Sequence, residues 1–464
     1  MREHGLVARM LLYASALLAM VPVPAHADAL DEYVHKQMRQ LRLPGVAIAI
    51  TRGSKPTELR VYGTADLEND VPVTVDTVFE LGSLTKQFTA VAAMILVEEG
   101  KLKLDEPITT YLSELPSSWR DITLRHLLTH SSGIQEYLSV QGLPDKAHAL
   151  DHRAMTKLFA ETLKREFPAG ETWAYSNTGY LLLGDILERV SGVSYWSFLS
   201  TRVFGPSGMS NTRSSAPQVI IRRRASGYGW RGMAFENRPA LSENAYSAGA
   251  IVSTIADMAR WEAAIHRGGL ISRPSWREVW APLRVNSARV PPLSYAFGWV
   301  VDYEGGHRAV LHSGGTPGFS SAIRRYVDDG VTVIVLTNHG DRIIEHMPLD
   351  IAGIVYPAVA RKQGSLAEPK SARVVRRAIA GLLAGKPDAT LFTPEMQLFL
   401  NTATAKGLWE WVASHGQLQA LQYHHTEEGR EVRTHRYRAV FGDAELWLSF
   451  ALTDDNKIAQ VYWW

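Results

Sequence analysis

The chain has 464 residues, of which 46% are hydrophobic and 21% are charged, and its formal net charge at pH 7 is +2. This composition is typical of a globular protein with two or three domains, and the near-neutral charge gives no electrostatic reason to expect a nucleic-acid partner. The sequence contains no cysteine, which excludes disulfide bonds and a lipid-modified N-terminal cysteine.

Residues 1–27 have the pattern of a secretory signal peptide. An apolar run from Met10 to about Met20 follows two arginines, and Ala25-His26-Ala27 matches a cleavage pattern of small residues. A membrane anchor is the alternative, but this run is shorter than the roughly 20 apolar residues of a spanning helix. We therefore expect a mature chain that begins near Asp28, is secreted or periplasmic, and keeps no stable membrane anchor.

Residues 28–360 have strand patterns at both ends and helical patterns between them. A helix is predicted over 28–43, and two strands follow at 46–50 and 59–62. The other predicted helices lie near 84–99, 124–128, 153–164, 178–190, 195–203, 254–266 and 343–361. The other predicted strands lie at 297–303, 308–311, 320–326 and 331–336. This order predicts an α/β (α+β) fold, in which one antiparallel sheet flanked by helices is built from both ends of the domain and carries an inserted helical lobe.

The last hundred residues differ in character from the rest. A polar linker is predicted over 361–370, and a small α+β domain of unknown role over 371–464. Its predicted helices lie at 372–383, 394–404 and 407–414, and its predicted strands at 417–423, 432–441, 445–452 and 458–464. The sequence of this domain contains no pattern that we can assign to catalysis.

The predicted helix over 84–99 is preceded by a serine and has a lysine in its first turn. Ser83 stands at the N-cap position, Lys86 lies one turn further on the same face, and Gly100 is placed to end the helix. A serine hydroxyl is a poor nucleophile unless a base lies within hydrogen-bond reach. A lysine becomes such a base when burial lowers its pKa, and this helix is apolar nearly all round. Taken alone, an N-cap serine with an exposed lysine explains the same pattern.

A second segment places a tyrosine and an asparagine just before a predicted helix. Tyr175 and Asn177 flank Ser176, after a loop that contains Pro168 and Gly170. A tyrosine near a lysine ammonium has a lowered pKa and serves as a proton carrier, while an asparagine offers a donor and an acceptor to a lysine or a substrate amide. Helix capping by the asparagine and packing of the tyrosine are the ordinary alternative.

A third segment, His312-Ser313-Gly314 with Gly315, follows a predicted strand. Paired glycines there allow a substrate to approach the backbone closely, although a glycine-rich bend with a packed histidine is the ordinary explanation. His148 and His152 have the spacing of metal ligands on a helix, but they do not form a metal-binding pattern with an acidic partner such as H-E-x-x-H. We therefore predict no metal site.

Together, the three segments resemble the motifs of a known enzyme family. Ser83-Leu84-Thr85-Lys86, Tyr175-Ser176-Asn177 and His312-Ser313-Gly314 occur in the order found in the serine β-lactamase and penicillin-binding-protein superfamily. The resemblance is to its class C-like branch, which includes class C β-lactamases, family VIII esterases, D-aminopeptidases and D,D-carboxypeptidases. It covers about residues 30–360 and implies a β-lactamase/transpeptidase-like fold.

The resemblance also implies a role for each matching residue. Ser83 resembles the acylated nucleophile, Lys86 its base partner, and Tyr175 the proton shuttle. Asn177 resembles the residue that orients the lysine and the substrate, and the backbone N–H groups of Ser83 and Gly315 would form the oxyanion hole. The implied reaction is acyl transfer through an acyl-serine, without a metal or other cofactor.

The third segment would bind substrate, but it departs from the family pattern. Where β-lactamases and penicillin-binding proteins have Lys-Thr-Gly, this chain has His312, Ser313 and Gly314. A histidine is mostly neutral above pH ~6.5 and holds a substrate carboxylate more weakly than a lysine does. The difference favours esterase or peptidase activity over work on penicillins or D-Ala-D-Ala ends, which carry that carboxylate.

We therefore predict an exported serine hydrolase that cleaves an ester or amide bond in a small molecule or peptide, with peptidoglycan fragments among the candidates. One alternative is a β-lactamase or D,D-carboxypeptidase proper. Another is a peptidoglycan or β-lactam sensor that is acylated without turnover. We also hypothesise that the C-terminal domain restricts the access of large substrates.

Overall fold

The computed structural model describes residues 25–53, 57–216, 218–239, 245–286, 295–304, 306–342, 344–360, 368–428, 433–442 and 445–463. Most of the predicted signal peptide (1–24) and of the predicted linker (361–367) lie outside the described residues. Among the helices that are described, none is both long and apolar enough to cross a membrane.

The described elements follow one another as strands, then helices, then strands, with a second helix-then-strand group at the end. The strands are β1 Gly45–Arg52, β2 Glu58–Asp66, β3 Val71–Pro72, β4 Val78–Glu80, β5 Arg213–Ser214, β6 Gly227–Arg231, β7 Ala234–Arg238, β8 Ile251–Thr254, β9 Val300–Glu304, β10 His307–Thr316, β11 Phe319–Tyr326, β12 Val331–Thr337, β13 Ala420–Glu428, β14 Arg433–Val440, β15 Glu445–Leu452 and β16 Ile458–Trp463. The helices are α1 Ala25–Leu41, α2 Thr85–Glu98, α3 Leu124–Leu128, α4 Leu143–His148, α5 His152–Thr162, α6 Asn177–Ser191, α7 Tyr195–Leu199, α8 Gly205–Ser207, α9 Tyr246–Gly249, α10 Ile255–His266, α11 Arg273–Val279, α12 His346–Val355, α13 Ala372–Leu383, α14 Pro394–Leu400 and α15 Ala403–Ser414.

The main sheet joins the two ends of the first region. Its strand order is β3-β2-β1-β12-β11-β10-β9, and neighbouring strands are antiparallel. On β1, Val46, Ile48 and Ile50 pack in a core that includes residues of α1 and α12, while Ala47 and Ala49 pack in the larger core that includes α2. Successive side chains of a strand point to opposite faces. The two cores therefore cover the two faces of β1. The predicted sheet, built from both ends and flanked by helices, is confirmed.

Helix α2 lies between the sheet and the helical lobe. Every residue from Thr85 to Leu96 is buried, as its apolar sequence predicts.

The last helix of this region is shorter than predicted and ends at Val355. Tyr356 precedes Pro357, and the residue before a proline is disfavoured in a helix. The hairpin of β6 and β7 was not predicted, because its glycine-rich first strand has little apolar alternation.

The C-terminal unit is a four-stranded antiparallel sheet in the order β13-β14-β15-β16 with helices α13 to α15. It has a hydrophobic core that is separate from the two cores of the main sheet. Phe167 and Ala174, which precede the Tyr175 segment, belong to this core rather than to those of the first region. The C-terminal unit is therefore packed directly against the loop that leads into α6.

A buried ion-pair cluster also joins the C-terminal unit to the main sheet. Arg436 of β14 donates to the Asp302 carboxylate and to the Tyr303 carbonyl, both at 2.6 Å, and to Glu427 at 3.0 Å. Arg324 of β11 donates to the other Asp302 oxygen at 2.7 Å. Burial would raise the pKa of Asp302, but the two arginines outweigh it and hold that pKa well below its usual range. Each charge in this cluster therefore depends on its partners.

We expect Arg436→Ala to destabilise the docked C-terminal unit by about 3–5 kcal/mol, because it leaves buried carboxylates short of a partner. Urea unfolding followed by tryptophan fluorescence measures this change. Arg433→Ala is the matched control: Arg433 lies on the same strand, and its bond to Asn456 is at the surface. That variant should stay within about 0.5 kcal/mol of the parent protein. Equal stability of the two variants would contradict the prediction.

Candidate active site

Ser83 lies in a short 3-10 turn, Gly82–Leu84, that leads into α2. The predicted N-cap role of Ser83 is wrong, because Leu84 holds the N-cap position and makes no side-chain cap bond. The turn requires φ of +53° at Gly82, a conformation that favours glycine. The Ser83 hydroxyl is partly exposed and accepts hydrogen bonds from Lys86 and Tyr175 instead. It is therefore both accessible and held between two proton-carrying groups.

The side chain of Lys86 is fully buried and donates three hydrogen bonds. Its Nζ lies 3.1 Å from Ser83 Oγ, 2.8 Å from Asn177 Oδ1 and 2.8 Å from the Ala248 carbonyl oxygen. Burial lowers the pKa of Lys86 to about 7. A substantial fraction of this lysine is therefore neutral near pH 7, and a neutral amine is able to accept a proton.

Tyr175 donates a 2.8 Å hydrogen bond from its hydroxyl to Ser83 Oγ. Its ring also faces Lys86, with Nζ 4.8 Å from the ring centroid. Burial nevertheless raises the pKa of Tyr175 well above its usual value, and the hydrogen bond to Ser83 offsets this only in part. The expectation of a lowered Tyr175 pKa is therefore wrong. The phenol is protonated at rest and is positioned to donate a proton.

His130 holds the backbone of the segment around Tyr175 through hydrogen bonds. The backbone N–H of Ser176 donates to His130 Nδ1 at 3.1 Å, and the N–H of Ala174 donates to the His130 carbonyl at 2.9 Å. The rings of His130 and Tyr175 lie 4.4 Å apart between centroids. Ser176 caps α6 by accepting from the N–H of Gly179. These contacts fix where Tyr175 and the first residue of α6, Asn177, point.

His312, Ser313, Gly314 and Gly315 lie within strand β10, not after it as predicted. This strand passes directly beside the Ser83 turn. A Cβ on Gly314 would lie 2.0 Å from the Leu81 carbonyl oxygen and 3.0 Å from the backbone N of Ser83. At such distances any side chain at position 314 would force the neighbouring backbone to shift. A Cβ on Gly82 would likewise lie 2.8 Å from the backbone N of Gly315. Strand β10 therefore passes next to the turn that carries the Ser83 N–H, and an oxyanion hole needs two such N–H groups close together.

The His312 side chain is buried and makes local contacts. Its Nε2 lies 3.0 Å from the hydroxyl of Tyr295, and its Nδ1 lies 2.6 Å from the Ser313 carbonyl. Burial, together with the charge of Lys86, lowers the pKa of His312 to about 3. His312 is therefore neutral at physiological pH and brings no positive charge to this edge of the site.

The C-terminal unit reaches the same loop from the other side. Thr404 donates from its hydroxyl to the Tyr175 carbonyl at 3.3 Å. The Trp173 ring stacks between Phe399 and Tyr295, with centroid distances of 5.7 and 6.1 Å. The wall of the site next to Tyr175 is therefore supported by residues of both units.

Sequence reasoning missed two groups that contact the predicted site residues. The Ala248 carbonyl accepts from Lys86, and Glu136 accepts from the side-chain amide of Asn177 at 3.2 Å. Glu136 follows the segment from His130 to Gly133 by three residues. Its closeness in sequence to the His130 segment was the one feature that pointed to Glu136. Helical periodicity could not have identified it, because Glu136 lies in a loop.

Among the described residues, Glu304, His425 and Glu427 have an arrangement that fits a metal ion, with ligand atoms within 4.8 Å of one another. The Arg436 guanidinium already lies 3.0 Å from Glu427 and 3.7 Å from Glu304. Because this side chain supplies the positive charge that the carboxylates need, we assign no metal to the group.

The model of the family described as Beta-lactamase matches residues 30–347, which is more than half of the chain and includes every predicted site residue. The chain belongs to the Beta-lactamase family. Its curated relatives include proteins named D-aminopeptidase, from Gluconobacter oxydans (strain 621H) and Brucella canis, each 26% identical to this chain.

This member of the Beta-lactamase family is similar to a penicillin-binding protein of Bacillus subtilis (strain 168), with 33% identity over 60% of this chain and 64% of that protein. It is similar to a β-lactamase of Escherichia coli (strain K12), with 32% identity over 54% of this chain and 65% of that protein. The chain therefore matches less than two thirds of the length of these relatives.

A solved structure extends the likeness to nearly the whole chain. The octameric penicillin-binding protein homologue from Pyrococcus abyssi has a TM-score of 0.60 and covers 93% of this chain and 97% of its own. At 21% identity this likeness concerns the fold alone. It supports the predicted fold. The resemblance drawn from the three motifs is confirmed by the family match.

For this Beta-lactamase family member we expect Gly314→Ala to lower the thermal unfolding midpoint by about 5 °C, because the added methyl would overlap the Leu81 carbonyl. Gly315→Ala is the matched control. No described atom outside its chain neighbours lies within 4 Å of a Cβ at that position. Differential scanning calorimetry measures both midpoints. If the two variants melt together, the close approach of β10 to the Ser83 turn is wrong.

Proposed function

We propose that this protein is an exported serine hydrolase that cleaves an ester or amide bond through an acyl-Ser83 intermediate. The observation that carries the proposal is the position of Ser83 Oγ, 3.1 Å from the Nζ of a fully buried Lys86 and 2.8 Å from the Tyr175 hydroxyl. A serine with a base and a proton donor in hydrogen-bond reach is equipped for acyl transfer. The export part rests on the leader pattern in residues 1–27.

The proposed reaction has two halves. In the first, Ser83 Oγ bonds to the carbonyl carbon of the substrate, and neutral Lys86 takes the hydroxyl proton. The bond to the leaving group breaks, and the leaving group takes a proton from Tyr175, which regains one from Lys86. In the second, water attacks the acyl ester, the acid is released, and Ser83 recovers its proton. The backbone N–H groups of Ser83 and Gly315 stabilise the negative charge on the carbonyl oxygen in both halves.

The substrate proposed is an ester or amide without a carboxylate next to the scissile bond. Its support is the buried His312 with a pKa of about 3, since a neutral imidazole attracts a carboxylate far less than a lysine does. A β-lactamase or D,D-carboxypeptidase proper is the alternative, favoured by the names of the two relatives described above, which are 33% and 32% identical to this chain. A sensor that is acylated without turnover would use the same first half-reaction.

We propose that the C-terminal unit limits the size of the substrate. The support is its contact with the Tyr175 loop through Thr404, and the stacking of Phe399 on Trp173. Weaker docking of this unit in Arg436→Ala should raise the turnover of a bulky ester relative to p-nitrophenyl butyrate. An unchanged ratio in a folded variant would refute the size limit.

We expect Ser83→Ala to abolish both turnover and covalent labelling by a serine-directed phosphonate, as followed by intact-mass spectrometry. Lys86→Ala should lose about a thousandfold or more in kcat/KM while it still folds, because it removes a member of a cooperating set. Lys101→Ala is the control, since Lys101 follows the same helix and its side chain is 53% exposed. Labelling that survives in Ser83→Ala would refute the assignment of the nucleophile.

Nitrocefin and its methyl ester test the substrate proposal, because they differ only in the carboxylate. We expect kcat/KM for the methyl ester to equal or exceed that for the free acid. An enzyme that binds the carboxylate through a cation should favour the acid by roughly tenfold or more, since a charge-assisted hydrogen bond contributes about 1.5–3 kcal/mol. A preference of that size for the acid would move the assignment to β-lactamase. A lasting adduct without product would favour the sensor.

A further inference from the structure

A buried carboxylate beside the site has no part in the reaction described above. Glu136 lies in the loop between α3 and α4 and is 7% exposed. Its Oε2 accepts from the backbone N–H groups of Asn177 at 2.5 Å and Thr178 at 3.3 Å. Its Oε1 accepts from Asn177 Nδ2 at 3.2 Å and from the N–H of Leu138 at 3.4 Å. The carboxylate is thus wrapped around the start of α6.

The pattern of these bonds favours the ionised form of Glu136. All four partners are N–H donors, and a carboxylate is an acceptor only. Burial raises the pKa of Glu136 above its usual value, and the hydrogen bonds from Asn177 and Thr178 and the charge of Lys86 offset that rise only in part. The start of α6 adds to this opposition, because a helix N-terminus favours negative charge.

Glu136 also decides which way the Asn177 amide points. Asn177 Nδ2 donates to Glu136, and Asn177 Oδ1 accepts from Lys86 Nζ at 2.8 Å. In the flipped arrangement the amide oxygen would face a carboxylate and the amide nitrogen would face an ammonium. Both contacts would be unfavourable, because neither pair would have a donor matched to an acceptor. The carboxylate therefore selects the orientation in which Asn177 supports the charged form of Lys86.

The same carboxylate acts on Lys86 through its charge. Burial lowers the pKa of Lys86, and the charge of Glu136 opposes that fall. The other titratable groups that face Lys86 are His130, Tyr175 and Tyr180 from the lobe and His312 from β10. Burial favours the neutral form of each of them, since it lowers the pKa of both histidines and raises that of both tyrosines.

We propose that Glu136 is a positioning residue, which orients the Asn177 amide toward Lys86 and stabilises the ammonium form of that lysine across it. This rests on the proposed function, in which Lys86 is the base of an acylation step. None of the described hydrogen bonds joins Glu136 to Ser83, and the carboxylate acts on Lys86 through Asn177 and through its charge. Its effect is to keep Lys86 from losing its proton at too low a pH, so that the lysine is a stronger base when neutral.

The test is the pH dependence of kcat/KM for p-nitrophenyl butyrate, which reports ionisations of the free enzyme. In the parent protein kcat/KM should fall on the acidic side of the profile with a midpoint near pH 7, where Lys86 gains a proton. This part of the profile is called the acid limb below. Glu136→Gln removes the negative charge, so Lys86 should lose its proton more easily. We expect the acid limb to move down by about one pH unit. A limb that stays at the parent pH in an active Glu136→Gln variant overturns the proposal.

Glu136→Asp keeps the charge but shortens the side chain by one methylene. Its acid limb should stay near the parent value, while kcat/KM on the plateau falls about tenfold, because Asn177 is held less well. This variant decides the matter if Glu136→Gln does not fold, as judged by circular dichroism and thermal unfolding. A folded Glu136→Asp variant with the parent kcat/KM would overturn the proposal.

Failure of this inference differs from failure of the proposed function. The Ser83→Ala variant reports on the function alone, because its turnover must vanish wherever the acid limb lies. If Ser83→Ala is inactive and the limb of Glu136→Gln is unmoved, the hydrolase assignment holds and the role of Glu136 is wrong. If Ser83→Ala stays active, the proposed function is wrong and the role of Glu136 falls with it.

Discussion

The burial of the Lys86 amine is the constraint on which the rest of the site depends. An ammonium removed from water loses the hydration that stabilises its charge, and burial lowers the pKa of Lys86 to about 7. Helix α2 is buried from Thr85 to Leu96 between the sheet and the lobe, so water is kept from its first turn. Three hydrogen-bond acceptors offset part of the cost of burial. Near pH 7 the charged and neutral forms of the amine are therefore present in comparable amounts.

Those acceptors come from three elements that are distant in sequence. Ser83 stands at the entry to α2, Asn177 begins α6, and Ala248 lies in α9. Strand β10 completes the arrangement, because Gly314 lets its backbone approach the Ser83 turn. The site therefore forms only where the sheet and the lobe meet, so a change that separates them should affect the amine and the nucleophile together.

The second motif is held from three directions. His130 fastens its backbone, Glu136 orients Asn177, and Thr404 of the C-terminal unit binds the Tyr175 carbonyl. The C-terminal unit is in turn held to the main sheet by the buried cluster around Arg436. A domain without a catalytic pattern in its sequence thus shares a wall with the active site. The position of the Tyr175 backbone therefore depends on contacts from both units.

The features that follow from local periodicity were predictable from the order of the residues alone. Side chains three residues apart share a helix face, so their spacing alone pairs Ser83 with Lys86. The apolar strands at both ends of the first region likewise predicted the sheet. The raised pKa of Tyr175, the neutral state of His312 and the contact between Glu136 and Asn177 follow only from the folded arrangement, in which residues 41 positions apart meet. Each of these depends on which groups the fold removes from water and which charges it brings together, and spacing along one element encodes neither.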